Sequence, residues 1–339
     1  MKIIIDGMGG DNAPAEIVKG AVDASKLTDH EICIIGKSEL IESELEKCNY
    51  DTDKITVADA REVIEMTDAP VKAVRTKKNS SMVKGLEMIK NGEGDLFISA
   101  GNTGALLAGG LFVLGRIQGI DRPALASIYP VLGGGASLLV DAGANSECKP
   151  DNLLEFGIMG SIYMDKVIGR HDPKVGLVNL GVEENKGSML TKASYDLLEK
   201  SKVNFIGNIE AREVPEGVCD VIVCDGFVGN VIIKLTEGLA WHILKLLKKK
   251  FTEGAKALLG AALLKDKFKD LKTEFDYSEY GGAPILGVKG PVVKMHGASE
   301  ANAVKNTIIK AIPFAEENVV EIIQNSVLDI EEIIISEQE

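Results

Sequence analysis

Three kinds of residue in this sequence can handle an anion, and they recur in short runs. Small acidic, amide and hydroxyl side chains stand among glycines: "DGMGGDN" holds Asp6, Gly9, Gly10 and Asp11, and "AGNTG" holds Gly101, Asn102, Thr103 and Gly104. "DAGAN" adds Asp141 and Asn145, and "CDGFVGN" adds Asn230. Isolated cations come next: "AVRTKKNSSM" sets Arg75, Lys77 and Lys78 beside Ser80 and Ser81, and "NKGS" holds Lys186. A third pair of runs, "YGGAPILG" and "VVKMHGASEAN", carries Tyr280, Gly281, His296 and Ser299. Backbone N–H groups at glycine turns and helix starts, joined by guanidinium, ammonium and hydroxyl groups, bind oxyanions. Histidine can carry a proton.

Other chemistries lack their residues. "GMGGDN" supplies two glycines of a dinucleotide fingerprint and fails at Asn12, its sixth position. No G-x-x-x-x-G-K-[ST] loop and no G-x-S-x-G elbow occurs, so neither nucleotide-driven nor covalent serine chemistry is expected. His30, His171, His242 and His296 are scattered without metal-ligand spacing, and no metal or cofactor is expected.

These turns need a frame. Apolar runs precede them at 3–10, 32–37, 96–105, 137–145, 175–184 and 221–230, without polar alternation. That pattern suits strands buried on both faces of a parallel sheet. Helical patterns lie between, the first with Asn12 as its cap and Pro14 in its first turn. The alternation predicts an α/β protein, three layers deep, with a mainly parallel, doubly wound sheet. Ligands of such sheets bind at the carboxyl ends of the strands, so the turns are expected to meet in one cleft. One catalytic domain is expected over residues 1–333, with 120–136 as a crossing between two lobes.

The segment 230–273 reads differently, as an amphipathic helical hairpin. Lys248, Lys249, Lys265 and Lys267 flank an apolar stretch holding Leu258, Leu259 and Leu263. Such a hairpin suits an anionic membrane surface or an acidic carrier, while the residues alone favour burial against a second subunit.

Composition narrows the classes further. The chain has 339 residues, 45% hydrophobic, 5% aromatic and 26% charged, so aliphatic side chains must build the core. A net charge of −13 argues against general nucleic-acid binding. Five cysteines without C-x-x-C spacing read as free thiols, which suits a reducing cytoplasm. Neither a signal peptide nor a spanning helix is expected.

Together, "DGMGGDNAP", "AVRTKKNSSM", "SAGNTGALLA", "DAGAN", "GLVNLGVEENKG", "CDGFVGN", "YGGAPILG" and "KMHGAS" resemble the bacterial phosphate acyltransferases, in matching order from Met1 to about residue 325. The resemblance implies that phosphate attacks the thioester of an acylated acyl carrier protein. The product, an acyl phosphate, would feed a membrane acyltransferase that acts on glycerol 3-phosphate. It also implies a fold related to isocitrate and isopropylmalate dehydrogenases and to phosphotransacetylase, a homodimer, and peripheral attachment to the inner face of the cell membrane. On that basis Asn102, Thr103 and Gly104 hold phosphate, Lys186 neutralises developing charge, and His296 carries a proton. Two other activities fit part of the pattern: a phosphotransacetylase using a short acyl-CoA, and a β-decarboxylating dehydrogenase, which the failed fingerprint disfavours. A membrane scaffold that recruits carrier protein without catalysis is a further alternative.

Overall fold

The computed structural model describes residues 1–254 and 281–327, with Ala257, Gly260, Leu263, Leu264 and Lys267 between them. Tyr280, Leu258, Leu259 and Lys265 lie outside the described residues.

The apolar runs form strands as expected. The first half contains β1 (Lys2–Asp6), α1 (Ala15–Ser25), β2 (Glu31–Gly36), α2 (Ser38–Leu45), β3 (Ile55–Asp59), α3 (Pro70–Thr76), α4 (Ser81–Lys90), β4 (Leu96–Ser99) and α5 (Thr103–Gly109). Then follow β5 (Ala124–Pro130), β6 (Ala136–Val140), α6 (Pro150–Lys166), β7 (Lys174–Asn179), α7 (Met189–Lys200), β8 (Asn204–Glu210) and β9 (Val221–Val223). The long α8 (Gly226–Thr252) is followed by β10 (Ala283–Leu286), β11 (Val292–Lys294) and α9 (Ala301–Glu316).

Among the described residues the strands make one sheet of 11, in the order β3-β2-β1-β4-β11-β10-β5-β6-β9-β7-β8. Its two faces explain the missing alternation. Ile3 and Ile5 enter one core cluster, while Ile4 enters another on the opposite face. Leu96 and Ile98 divide from Phe97 in the same way. The central strand positions are therefore apolar on both faces, and helices cover both faces, giving three layers. Each fully buried Ile or Leu contributes roughly 1.5–3 kcal/mol.

The sheet departs from the expectation in one respect. β3, β2, β1, β4 and β11 run parallel, and β6, β9, β7 and β8 run parallel among themselves. Between them β10 pairs antiparallel with both β11 and β5, and β5 pairs antiparallel with β6. The carboxyl end of β6 thus lies beside the amino end of β5, where Ala142 N–H donates to Leu125 O. No single carboxyl edge runs through this sheet, so the turns are not gathered along one. The segment 120–136 holds β5 and a turn through Gly133–Gly135 that leads straight back into β6.

Candidate functional site

The turns after β1, β4 and β11 form one connected group. Asp6 ends β1 fully buried, and its carboxylate is surrounded by donors. Ser99 Oγ donates to its Oδ2 at 2.7 Å and Met8 N–H to its Oδ1 at 3.1 Å. Ser81 Oγ and Gly9 N–H also face it. Burial pushes the Asp6 carboxyl above its usual range, and these hydrogen bonds oppose the rise. Ser99 in turn accepts Gly101 N–H at 3.0 Å, which ties the turn after β1 to the turn after β4.

Glycine at positions 9 and 10 follows from this closeness. A Cβ on Gly9 would lie 2.6 Å from Asp6 Oδ2 and 2.7 Å from Gly101 N. Gly10 has a φ of +99°, and a Cβ there would stand 2.8 Å from Gly297 O. Asp11 N–H donates to that same Gly297 O at 2.8 Å. Asn12 does not cap α1, as the sequence suggests; its Nδ2 donates to Ala298 O and Ser299 O, tying the first turn to the third. Pro14 occupies the cap position of α1 instead, and it offers no capping side chain.

Lys294 joins the group from β11. It is only 7% exposed, and its Nζ donates to Ala100 O at 3.2 Å and to Met295 O. Burial lowers its pKa to about 8, against the pull of the Asp6 and Asp11 carboxylates. A lone lysine in an apolar strand carries no spacing signal, so the sequence alone does not single out Lys294. Its neighbour His296 is exposed, and its Nδ1 accepts Ala298 N–H at 3.2 Å. The neutral ring therefore carries its proton on Nε2.

Asn102 has a structural task. Its Oδ1 caps α5 by accepting Ala105 N–H at 3.0 Å, and its Nδ2 donates to Glu65 O, Met66 O and Asp68 O. Those bonds use both amide protons and one side of the oxygen, and they fix the shape of the turn. The amides of Thr103 and Gly104 open the helix. Ser81 faces Asp6, whereas Arg75 lies exposed with its guanidinium 5.1 Å from the centre of the Phe112 ring. Lys77 pairs with Asp68 at 2.5 Å and holds the 63–68 segment through Val63 O. Gly281 packs on α9, where a Cβ would meet Lys310.

The remaining turns form separate groups. Asp141 is buried, and burial pushes its carboxyl upward, opposed by the hydrogen bonds it accepts. Its Oδ1 accepts Gly143 and Ala144 N–H, and its Oδ2 accepts both the backbone and side-chain N–H of Asn145. Asn145 Nδ2 also donates to Pro123 O. This pair folds its own loop against the start of α8, where exposed Asn230 lies next to Gly143. Lys186 is also exposed. It lines a cavity of about 840 Å³ with Glu183, Tyr195, Ile206 and Asn208. Asn208 Nδ2 holds Glu183 O at 3.1 Å, and Asn179 Nδ2 holds Lys186 O at 3.1 Å.

The helix α8 leaves the body. Of its 27 residues only Gly226, Gly229 and Ile233 are buried, while Leu235, Leu239, Trp241, Ile243 and Leu246 are exposed. Lys248 and Lys249 are exposed near its end, and Leu263 and Lys267 beyond it are exposed too. Among the described residues no helix is long and apolar enough to cross a membrane. Cys33, Cys219 and Cys224 are buried free thiols, and burial pushes the Cys219 thiol up to about 12.

A family model described as a fatty acid synthesis protein matches residues 1–322. A phosphate acyltransferase of Alkaliphilus oremlandii (strain OhILAs) is 56% identical over 327 residues, covering 96% of this chain and 97% of the relative. A phosphotransacetylase from Streptococcus pyogenes superposes with a TM-score of 0.66 at 16% identity, covering 94% of each chain. A 4-hydroxythreonine-4-phosphate dehydrogenase from Klebsiella pneumoniae superposes with a TM-score of 0.54 at 12% identity, over 93% of this chain and 99% of that one. The two superpositions identify a fold shared by phosphotransacetylases and a dehydrogenase.

Proposed function

The chain belongs to the fatty acid synthesis protein family, and on that premise we propose that it passes the acyl group of an acylated carrier protein to inorganic phosphate. It is an acyltransferase, and its relatives' name supplies phosphate as the acceptor. Phosphate oxygen attacks the thioester carbonyl, the C–S bond breaks, and acyl phosphate and free carrier thiol leave. The proton carried by phosphate ends on sulfur. The thioester supplies the driving energy and phosphate is itself the nucleophile, so the enzyme must position and polarise.

The observation that carries this reading is the group of turns around Lys294, which sets a buried cation beside the α5 N-terminus. Phosphate rests on the amides of Thr103 and Gly104, with Asn102 holding the turn in shape. His296 Nε2–H donates a hydrogen bond to the leaving sulfur, which takes the proton that phosphate carried. Lys186, at its own cavity, neutralises charge on the arriving anionic arm of the carrier. Positioning of the two reactants can supply up to ~7–11 kcal/mol, and one well-placed oxyanion donor roughly 3–4 kcal/mol. The test follows free thiol and acyl phosphate from acylated carrier protein with and without phosphate. Phosphate-dependent release of thiol is expected; release that ignores phosphate would sink the reading.

Carrier binding and surface attachment belong to the same proposal. An acidic carrier needs a local basic surface on this acidic chain, and Lys248, Lys249 and Lys267 provide one. The exposed Leu235, Leu239 and Leu246 on α8 suit an anionic membrane surface, with Lys245 packed 4.7 Å over Trp241. Sedimentation with anionic liposomes should drop when Leu235 and Leu239 become Glu. Unchanged sedimentation assigns the stripe to a second subunit, in keeping with a homodimer.

A further inference from the structure

We infer that Lys294 is a positioning residue: its ammonium clamps the turn bearing Thr103 and Gly104 to the turn bearing His296, and the clamp depends on its charge. The inference rests on the acyl-transfer reading of this site and gives one residue a defined part in it. Lys294 is the last residue of β11, paired in register with Ser99 at the end of β4. Its Nζ bonds Ala100 O, just before the Gly101–Gly104 turn, and Met295 O, just before His296. One ammonium thus holds the backbone immediately ahead of both proposed ligand-binding turns.

The charge matters for two reasons. Hydrogen bonds from an ammonium to carbonyl oxygens are roughly twice as strong as those from a neutral donor. Two carboxylates also face the ammonium: Asp6 from the end of β1 and Asp11 from the turn that follows. His296 is the other titratable side chain on the clamped turn. Once Lys294 loses its proton, both carboxylates face an uncharged amine, and the two turns lose their common anchor. Burial brings that event into reach, because it lowers the Lys294 pKa to about 8.

The sign is direct. The ammonium form holds below about 8 and is lost as pH rises through that value. Wild-type kcat/KM for phosphate, measured with acylated carrier protein between pH 7 and 9.5, should fall about tenfold per unit above the midpoint. In Lys294→Arg, whose guanidinium stays charged, activity at pH 7 is reduced and the alkaline limb disappears. A limb in Lys294→Arg with the wild-type midpoint would overturn the inference. If that variant does not fold, Asp6→Asn serves instead. Removing the Asp6 charge should move the limb to lower pH, and an unmoved limb overturns the inference equally. A role in stability alone would lower the melting temperature without moving the limb. Wild type that releases no thiol on addition of phosphate at any pH refutes the reaction itself. An active wild type whose limb ignores both substitutions refutes only the role of Lys294.

Discussion

Lys294 ends β11 and Lys186 stands on the loop after β7, and their surroundings are opposite. Lys294 is 7% exposed, bonded to two carbonyls and faced by two carboxylates. Lys186 is exposed on a loop whose backbone carbonyls are held by Asn179 and Asn208, and its own N–H donates to Glu183 O. The first lysine is set in place before any ligand arrives, at the cost of desolvating a charge. The second keeps its hydration and its freedom until a ligand orders it. A buried charge at a strand end and an exposed charge on a loop suit different tasks: shaping the reacting groups, and receiving a large partner.

The contrast predicts unequal losses. Lys294→Met should lower kcat/KM for phosphate at least 100-fold, on the order of 3 kcal/mol, and should also lower the melting temperature, because Asp6 then stands buried without its cation. A loss below tenfold with normal stability would erase the distinction between the two lysines. Ser99→Ala strips one donor from Asp6 and one acceptor from Gly101 N–H, and should destabilise by about 1–3 kcal/mol in urea titration. Lys186→Met should reduce turnover at least tenfold, roughly 1.4 kcal/mol, with an unchanged melting temperature. A fall in stability equal to that of Lys294→Met would show that exposure does not separate them.

The smallest effect comes from a buried carboxylate outside both regions. Glu155 on α6 accepts Asp121 and Arg122 N–H, and burial pushes its carboxyl up to about 7. The folded value lies above the unfolded one, so wild type loses stability as pH rises from about 4.5 to about 7. Glu155→Gln should remove that slope and gain on the order of 1 kcal/mol over wild type at pH 8 relative to pH 5. Equal slopes in both proteins would mean that two amide donors solvate Glu155 as well as four donors and a cation solvate Asp6.

Much of the fold was legible in order. Unbroken runs such as "KIIID" and "LFIS" can be satisfied only by burial on both faces, and that demand predicted the layered α/β sheet. The helix starts were less legible. Asn12 has the residue type of a cap, but Ala298 and Ser299, nearly 300 positions away, compete successfully for its amide. At Asn102 the same side chain both caps its helix and holds a distant loop, and residue type alone reveals only the first of these. Asp141 is similar: a carboxylate in a glycine turn reads as a ligand, and four donors from its own loop engage it.

By itself, the sequence determined the strands, the glycine turns that follow them and the family to which the chain belongs, because burial patterns and motif order are local and linear. Tertiary structure decided the rest. The reversal at β5 and β6 depends on which strands pair, and it separates turns that look alike. Lys294 acquires its meaning only from Ala100, Met295, Asp6 and Asp11, groups that are up to nearly 300 residues apart along the chain. Electrostatic interactions in a low-dielectric interior act through space, so a buried charge such as Lys294 leaves no signature in its neighbours along the sequence.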